Sequence, residues 1–386
     1  MNTTNVSTQP DPENLAQIDD ARLEAEYDRF VLDTPYDAML LESAEFRKRW
    51  FKLLQVNHRE LERVAQDVTE LMDTACDTKL ISIIGMTGIG KTTLATELGN
   101  ILMESYREQA QPSEHPVIYV RAPANGEKSL SWKVLYRRIL QAGHEPSVDQ
   151  KRASRIEDGR LFGVRDGRSS VAHLREQVEG MLRHRKVRAL IIDEALHLLR
   201  FSDYSAIMDT LKSLADIEPT KLILIGTHQI ADLMTEYGQV IRRSEIIHYR
   251  RYRLSTKVSD QPSSDEAEYI LQLQKLQNNW PSRNKPDLVA VWRPLMSASL
   301  GSIGITKSIL QQVVVQQLST PGEVLKESHF RKAFKAPGNL RKIEEETVSG
   351  EEKLIGCCYG EGLVEEDWFP LIAGQRPTAN QGARRA

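Results

Sequence analysis

Apolar residues along this chain change their spacing twice. Phe46, Trp50, Leu54, Leu61, Val64 and Val68 recur at helical intervals with charges between them, which predicts helices over about 21–74. From residue 79 the pattern becomes short apolar runs separated by amphipathic stretches. Lys79-Leu80-Ile81-Ser82-Ile83-Ile84 is rich in β-branched residues and stops at a glycine, as a strand buried on both faces does. Further strands are predicted at 117–120, 188–192 and 221–225, and helices at 92–107, 132–141, 171–184 and 204–214. Strand and helix alternating at this length predict a doubly wound parallel sheet. After Arg253 only the helical period remains, over 265–277, 286–298, 303–318 and 325–335, so a small all-helical unit follows the α/β unit.

The ends read differently. Residues 1–20 are polar, contain prolines and are expected to form a flexible arm; residues 346–386 lose periodicity and are expected to form a flexible, partner-binding tail. Within that tail Trp368-Phe369-Pro370-Leu371-Ile372 is one compact apolar segment, suited either to docking on a partner or to folding back on its own domain. The stretch 144–170, rich in charge and glycine (Asp158-Gly159, Asp166-Gly167), reads as an insertion or loop. The organisation expected is an arm (1–20), an N-terminal helical extension (21–74), an α/β ATPase domain (75–254), a helical lid (255–345) and the tail (346–386).

Composition narrows the function classes. No apolar run approaches the roughly 18–20 residues of a membrane span, and Met1-Asn2-Thr3-Thr4-Asn5 opens no charged-then-apolar leader, so a cytoplasmic protein with no membrane partner is expected. Cys76, Cys357 and Cys358 have no paired spacing for zinc or a disulfide framework. The vicinal Cys357-Cys358 pair is open to redox chemistry or to plain burial. A formal net charge of -3 excludes a uniformly basic surface. Charge is nonetheless uneven: Arg242, Arg243, Arg250, Arg251 and Arg253 crowd one stretch and Arg183, Arg185, Lys186 and Arg188 another, which permits a local polyanion site.

The candidate chemistry gathers at strand ends. Gly85-Met86-Thr87-Gly88-Ile89-Gly90-Lys91-Thr92, followed by Thr93, fits G-x-x-x-x-G-K-[ST] between a predicted strand and a predicted helix. Its glycines let backbone N–H groups wrap phosphates at a helix N-terminus. Lys91 is placed to reach the β- and γ-phosphates and the Thr92 hydroxyl to hold Mg²⁺, so ATP and Mg²⁺ are the expected cofactors. Arg188-Ala189-Leu190-Ile191-Ile192-Asp193-Glu194 is an apolar strand ending in two carboxylates: Asp193 to orient Mg²⁺, Glu194 to polarise the attacking water as general base. The next strand ends at Gly226-Thr227-His228, where Thr227 either hydrogen-bonds the attacking water or γ-phosphate or simply ends the strand. Gln239-Val240-Ile241-Arg242-Arg243 offers either an arginine finger that completes a neighbour's site in trans or a solvated or DNA-facing basic face. The fold class expected from motifs and pattern together is α/β, a P-loop AAA+ ATPase with a doubly wound parallel sheet followed by a small all-helical lid.

Thr227 with the helix after it, the Gln239…Arg242-Arg243 segment and Gly301-Ser302-Ile303-Gly304-Ile305-Thr306-Lys307 together resemble the TnsC/TniB/Mu B group of AAA+ regulators of DNA transposition, over roughly residues 45–335. The resemblance implies an ATPase that binds duplex DNA independently of sequence and assembles as a homo-oligomeric ring or helical filament. It also implies a link between transposase subunits and a target-selection protein or RNA-guided complex. Carried onto this chain, it implies DNA contacts from the loop 121–131 (Arg121, Lys128, Ser129) and from the insertion arginines Arg155, Arg160 and Arg165, all to phosphate. Two other readings share the phosphate loop. One is a replication-type AAA+ loader or adaptor that uses ATP as a structural switch. The other is a signalling ATPase of the STAND type, which usually ends its second acidic strand in Asp-Asp and carries long sensor repeats, for which the segment after residue 340 is too short.

Overall fold

The computed structural model describes residues 12–73, 75–123, 132–145, 154–157, 160–163, 170–199, 204–231, 243–255 and 261–359. They fall into two compact units, one built on a parallel sheet and one all-helical.

The sheet unit comprises residues 64–87, 94–249 and 342–386. Five strands, β1 (Leu80–Gly85), β2 (Val117–Arg121), β5 (Ala189–Asp193), β6 (Lys221–Gly226) and β7 (Ser244–Tyr249), lie in the order β2-β5-β6-β1-β7, every pair parallel. Every residue of β1, β5 and β6 is buried, which is why these strands read as continuous apolar runs rather than as alternation. On one face Leu80, Ile84, Ile118, Val120, Leu190, Ile192, Leu222 and Leu224 share a core with apolar residues of α6 (Trp132–Ala142), α7 (Val171–His184) and α9 (Tyr204–Ala215). At the foot of β6 the buried Lys221 donates to the carbonyls of Leu71, Asp73 and Cys76, where the last turn of α4 (Arg59–Leu71) leaves oxygens unsatisfied.

Because all five strands run the same way, their C-terminal ends meet at one edge. The register sets Ile84 opposite Gly226, Ile192 opposite Leu224 and Arg121 opposite Asp193. The stretch expected to be a loop also contains structure: β3 (Ser154–Glu157) and β4 (Arg160–Gly163) form an antiparallel ribbon.

The helical unit comprises residues 1–63, 88–93 and 250–341, so the N-terminal extension and the helices after Arg253 form one body. It contains α1 (Pro12–Asp33), α2 (Tyr36–Met39), α3 (Ala44–Leu53), α10 (Ser264–Asn278), α11 (Trp292–Ala298), α12 (Ile303–Leu318) and α13 (Glu327–Ala333). The fully buried Trp280 joins the two halves. Phe51 meets its ring edge-on at 5.4 Å, Tyr36 donates to its carbonyl at 2.7 Å, and its indole N–H donates to Gln317 at 2.8 Å. Arg47 adds a fork to Glu323 and a bond to the Pro281 carbonyl. The buried Glu60 accepts from Arg63 and Arg250.

Two boundaries differ from the sequence reading. Helix α1 begins at Pro12, inside the segment expected to be an arm; proline is well tolerated in a first helical turn, where its missing N–H has no partner to lose. Helix α14 (Pro337–Tyr359) runs well past residue 346, inside the segment expected to be a flexible tail. Among the described residues no helix is long and apolar enough to cross a membrane.

Candidate functional site

The loop leaving β1 is shaped by glycine. Gly88 and Gly90 take φ of 82° and 110°, a region that residues with a Cβ rarely adopt, and α5 (Lys91–Arg107) begins directly at Lys91. The segment thus delivers the chain from a strand end to a helix N-terminus, where backbone N–H groups and the helix dipole favour phosphate.

At the same strand edge, Asp193 is 1% exposed. Its Oδ2 accepts from the Tyr119 hydroxyl at 3.2 Å and its Oδ1 from the Glu194 N–H at 2.7 Å. Burial, with the Asp193 charge beside it, pushes the Tyr119 hydroxyl up and keeps it a donor. Glu194 takes a φ of 54°, which costs a non-glycine residue about 1 kcal/mol. Its half-exposed carboxylate stands 3.9 Å from Arg121 Nε and 3.5 Å from His197 Nε2, the latter on the short helix α8 (Leu196–Leu199). His197 Nδ1 is buried without a hydrogen-bond partner among the described residues. Sequence reasoning did not find Tyr119 or His197. Tyr119 was accessible only through the β2–β5 pairing, because it sits two residues before Arg121 on the strand next to Asp193.

Thr227 follows β6 directly, beside the end of β1. Its Oγ1 is buried and has no hydrogen-bond partner among the described residues. An unsatisfied buried hydroxyl costs roughly 1–3 kcal/mol, so this position fits a ligand or water oxygen. Within the sheet unit Asp193, Glu194 and Thr227 thus stand at strand ends on one edge, a polar set suited to a hydrated cation beside a phosphate.

The other nominated residues are placed differently. Arg121, expected at DNA, has its guanidinium beside Glu194; burial works against its charge, but the adjoining Tyr119, Glu194 and Asp193 outweigh burial and raise its pKa. Arg243 lies at the foot of β7, at the opposite end of the sheet from Gly85, Asp193 and Gly226, and faces Asp77 at 3.3 Å. Arg155 pairs opposite Phe162 and Arg160 opposite Glu157 in the β3–β4 ribbon. Arg242, Lys128, Ser129, Arg165 and the Trp368–Ile372 segment lie outside the described residues.

Among the described residues, several cations of the two arginine-rich stretches have acidic or aromatic partners. Arg183, Arg185 and Lys186 pair with Glu179, Glu145 and Glu114, and Arg188 lies over the Tyr106 ring. In the helical unit Arg250 pairs with Glu60.

The helical unit explains the Gly301–Lys307 segment. The Ser302 hydroxyl accepts from the Ile305 N–H at 3.2 Å, capping α12, and donates to the Gly88 carbonyl at 2.9 Å. A Cβ at Gly304 would fall 2.3 Å from the Gly88 oxygen, 3.0 Å from the Ile89 carbonyl carbon and 3.1 Å from the Gly90 nitrogen, so only glycine admits the loop there. Lys307, in the first turns of α12, instead donates to the carbonyls of Lys52 and Leu54, and burial pulls its pKa to about 8.

Residues 75–234 match the family model of an AAA domain. No curated protein matches the chain. Among solved structures, the chain is similar to the Aeropyrum pernix ORC2 protein (ADPNP–ADP complexes) at 17% identity, covering 72% of this chain and 68% of that one, with a TM-score of 0.48. It is also similar to the Aeropyrum pernix ORC1 protein in complex with DNA at 16% identity, 74% and 68% coverage and a TM-score of 0.48. A third is a Walker-type ATPase of Pyrococcus abyssi, at 12% identity, 79% coverage of both chains and a TM-score of 0.46. The segment 75–234 is thus similar to AAA domains, and the fold that carries it is that of a P-loop AAA+ ATPase.

Proposed function

We propose that this protein is an ATP-dependent, DNA-binding regulator of transposition that assembles as rings or filaments on duplex DNA and links target-site selection to a transposase. The observation that carries the reading is the seat of Ser302 and Gly304 on Gly88–Gly90. Gly301–Lys307, one of the three segments on which the resemblance to the TnsC/TniB/Mu B group rests, is shaped by contact with the phosphate loop at Ser302 and Gly304. Filling that loop with phosphate therefore acts directly on α12 and, through it, on the helical unit.

In this reading Gly85–Thr93 binds the triphosphate, Lys91 offsets its charge, and Thr92 with Asp193 holds Mg²⁺. Glu194 takes the proton of the attacking water and Thr227 positions that water or the γ-phosphate. Arg243 sits at the far end of a six-residue strand, about 20 Å from its own strand-end carboxylates, so it or Arg242 serves as a finger only towards a second subunit. DNA is held by phosphate contacts from Arg155 and Arg160 on the β3–β4 ribbon and from Lys128, Ser129 and Arg165. Each subunit offers few such contacts, so affinity depends on assembly multiplying them.

Electron microscopy of the protein with duplex DNA, Mg²⁺ and a slowly hydrolysed ATP analogue tests this. Rings or helices enclosing the duplex are expected. Titration of unrelated duplexes at two salt concentrations should show ATP-dependent, sequence-tolerant and salt-sensitive binding. Tight ATP-independent binding to one sequence would overturn the reading. Tight ATP binding without turnover, even when assembled, would favour a loader that uses ATP as a switch.

A further inference from the structure

Helix α14 is not required by the reading above, yet from residue 342 it belongs to the sheet unit and lies against the most chemically loaded end of the sheet. Residues of one helical face, among them Glu346, Thr347, Gly350 and Lys353, line a cavity of about 260 Å³. The opposite wall is Met86 and Thr87 from the start of the phosphate loop, with Thr227 and His228 from the end of β6. This is the cavity into which a terminal phosphate or its attacking water would project if Thr227 acts on them.

The docking of α14 is specific but shallow. Gly350 lets the helix approach His228: an added Cβ would fall 2.3 Å from the imidazole Cγ and 2.5 Å from its Cβ. Leu354 enters the sheet core at 2% exposure, while Thr347 and Glu351 are the buried polar residues of this segment. Among the described side chains of 342–354, Leu354 is the large apolar anchor, and an element with few such anchors opens at low cost. Its charge is also wrong for a phosphate cover. Between Lys342 and Lys353 it carries five glutamates against two lysines, and Glu346 is on the cavity wall. Glu346 shares that wall with Lys353, and its carboxylate repels a terminal phosphate placed in the cavity.

We propose that α14 is an ATP-sensitive latch, docked over the ends of β1 and β6 while the terminal-phosphate position is empty and displaced when ATP fills it. This rests on reading Gly85–Thr92 and Thr227 as the triphosphate site. Displacement exposes the α14 face that carries Thr347, Gly350 and Leu354. By linkage, a partner that captures the exposed face raises ATP affinity by the factor by which ATP favours its exposure.

Hydrogen exchange over residues 342–354 in the full chain with Mg²⁺ is the primary test, comparing no nucleotide, ADP and a slowly hydrolysed ATP analogue. Protection should fall with the analogue and stay unchanged with ADP. Two variants read the same coupling from the nucleotide side. Gly350→Ala forces the helix off His228 while replacing glycine with a better helix former, and Glu346→Gln removes the facing charge without touching the docked residues. Both should tighten the analogue, Gly350→Ala by about fivefold or more, with ADP affinity unchanged. Increased protection with the analogue, or weaker analogue binding in both variants, would overturn the latch and make α14 a completing wall of the site with Lys353 facing phosphate. Analogue binding with unaltered exchange overturns the latch alone. A wild-type chain that binds no ATP at all overturns the triphosphate reading along with it.

Discussion

Glu194 is the residue on which chemistry and strain converge. It sits in the left-handed region and between two cationic or cation-capable groups, Arg121 and His197. Glu194→Gln should therefore retain ATP while lowering turnover by about 10²-fold or more, whereas Lys91→Ala should abolish binding because it removes the charge opposing the phosphates. Steady-state hydrolysis and equilibrium nucleotide binding check the pair; normal turnover in Glu194→Gln would remove the general-base assignment. Arg121→Ala separates two roles. Beside Glu194 it should change the hydrolysis rate with DNA affinity nearly unchanged, whereas a phosphate contact would weaken binding to all duplexes alike. Elsewhere, His58 is buried with its Nδ1 3.0 Å from the Tyr252 hydroxyl, and burial pulls its pKa from 6.5 to about 4. The unfolded chain thus takes up this proton first as pH falls. Stability from a neutral His58 is complete above about pH 6.5 and drains away towards pH 4, by at most about 3 kcal/mol. Denaturant unfolding at pH 7 and pH 4.5 should show this loss, and His58→Asn should reduce it.

Among the elements, α12 carries the most information per residue. Its first turn is capped by Ser302, opened by Gly304 to the backbone of the phosphate loop, and backed by Lys307 on the carbonyls that end α3. Gly304→Ala favours an isolated helix by about 1 kcal/mol, but its Cβ meets backbone atoms that cannot rotate away. ATP affinity should fall by tenfold or more, measured by calorimetry, with helicity retained; such a loss is about 1.4 kcal/mol, within the range of overpacking costs. Gly338→Ala on α14, where nothing lies within 4 Å, is the matched control and should leave affinity unchanged. If Gly304→Ala binds ATP like wild type, the seat of α12 on the loop has no bearing on nucleotide binding. The β3–β4 ribbon makes the complementary point. Its alternation over four residues per strand is too short to stand out from a charged loop, yet it puts Arg155 and Arg160 on one small element.

For the whole molecule, parallel strands place the strand-end carboxylates at one edge of the sheet and Arg243 at the other. If the finger works in trans, turnover should rise with protein concentration and with DNA. A subunit bearing Arg242→Ala and Arg243→Ala should regain hydrolysis when mixed with Lys91→Ala subunits, since each supplies what the other lacks. Concentration-independent turnover by a monomer would exclude this arrangement.

The chain's own pattern determined the class of the sheet, because strands covered on both faces must be continuous apolar runs and the helices between them must carry a 3.6-residue stripe. It also marked the glycine-rich turn at 85–92, since only glycines reach the φ of Gly88 and Gly90. What it left undecided depends on contacts between residues far apart in sequence. Arg121 looked like any loop-end cation until β2 paired with β5 and brought it to Glu194. The basic clusters looked available until glutamates from other elements claimed them. The union of the N-terminal helices with those after Arg253 hangs on Trp280, Arg47 and Glu60, none of which has a local signature. Helix α14 was hidden for the same reason: five glutamates between Lys342 and Lys353 make it read as a polar tail, and only the shape of the sheet end against Gly350 shows where it belongs.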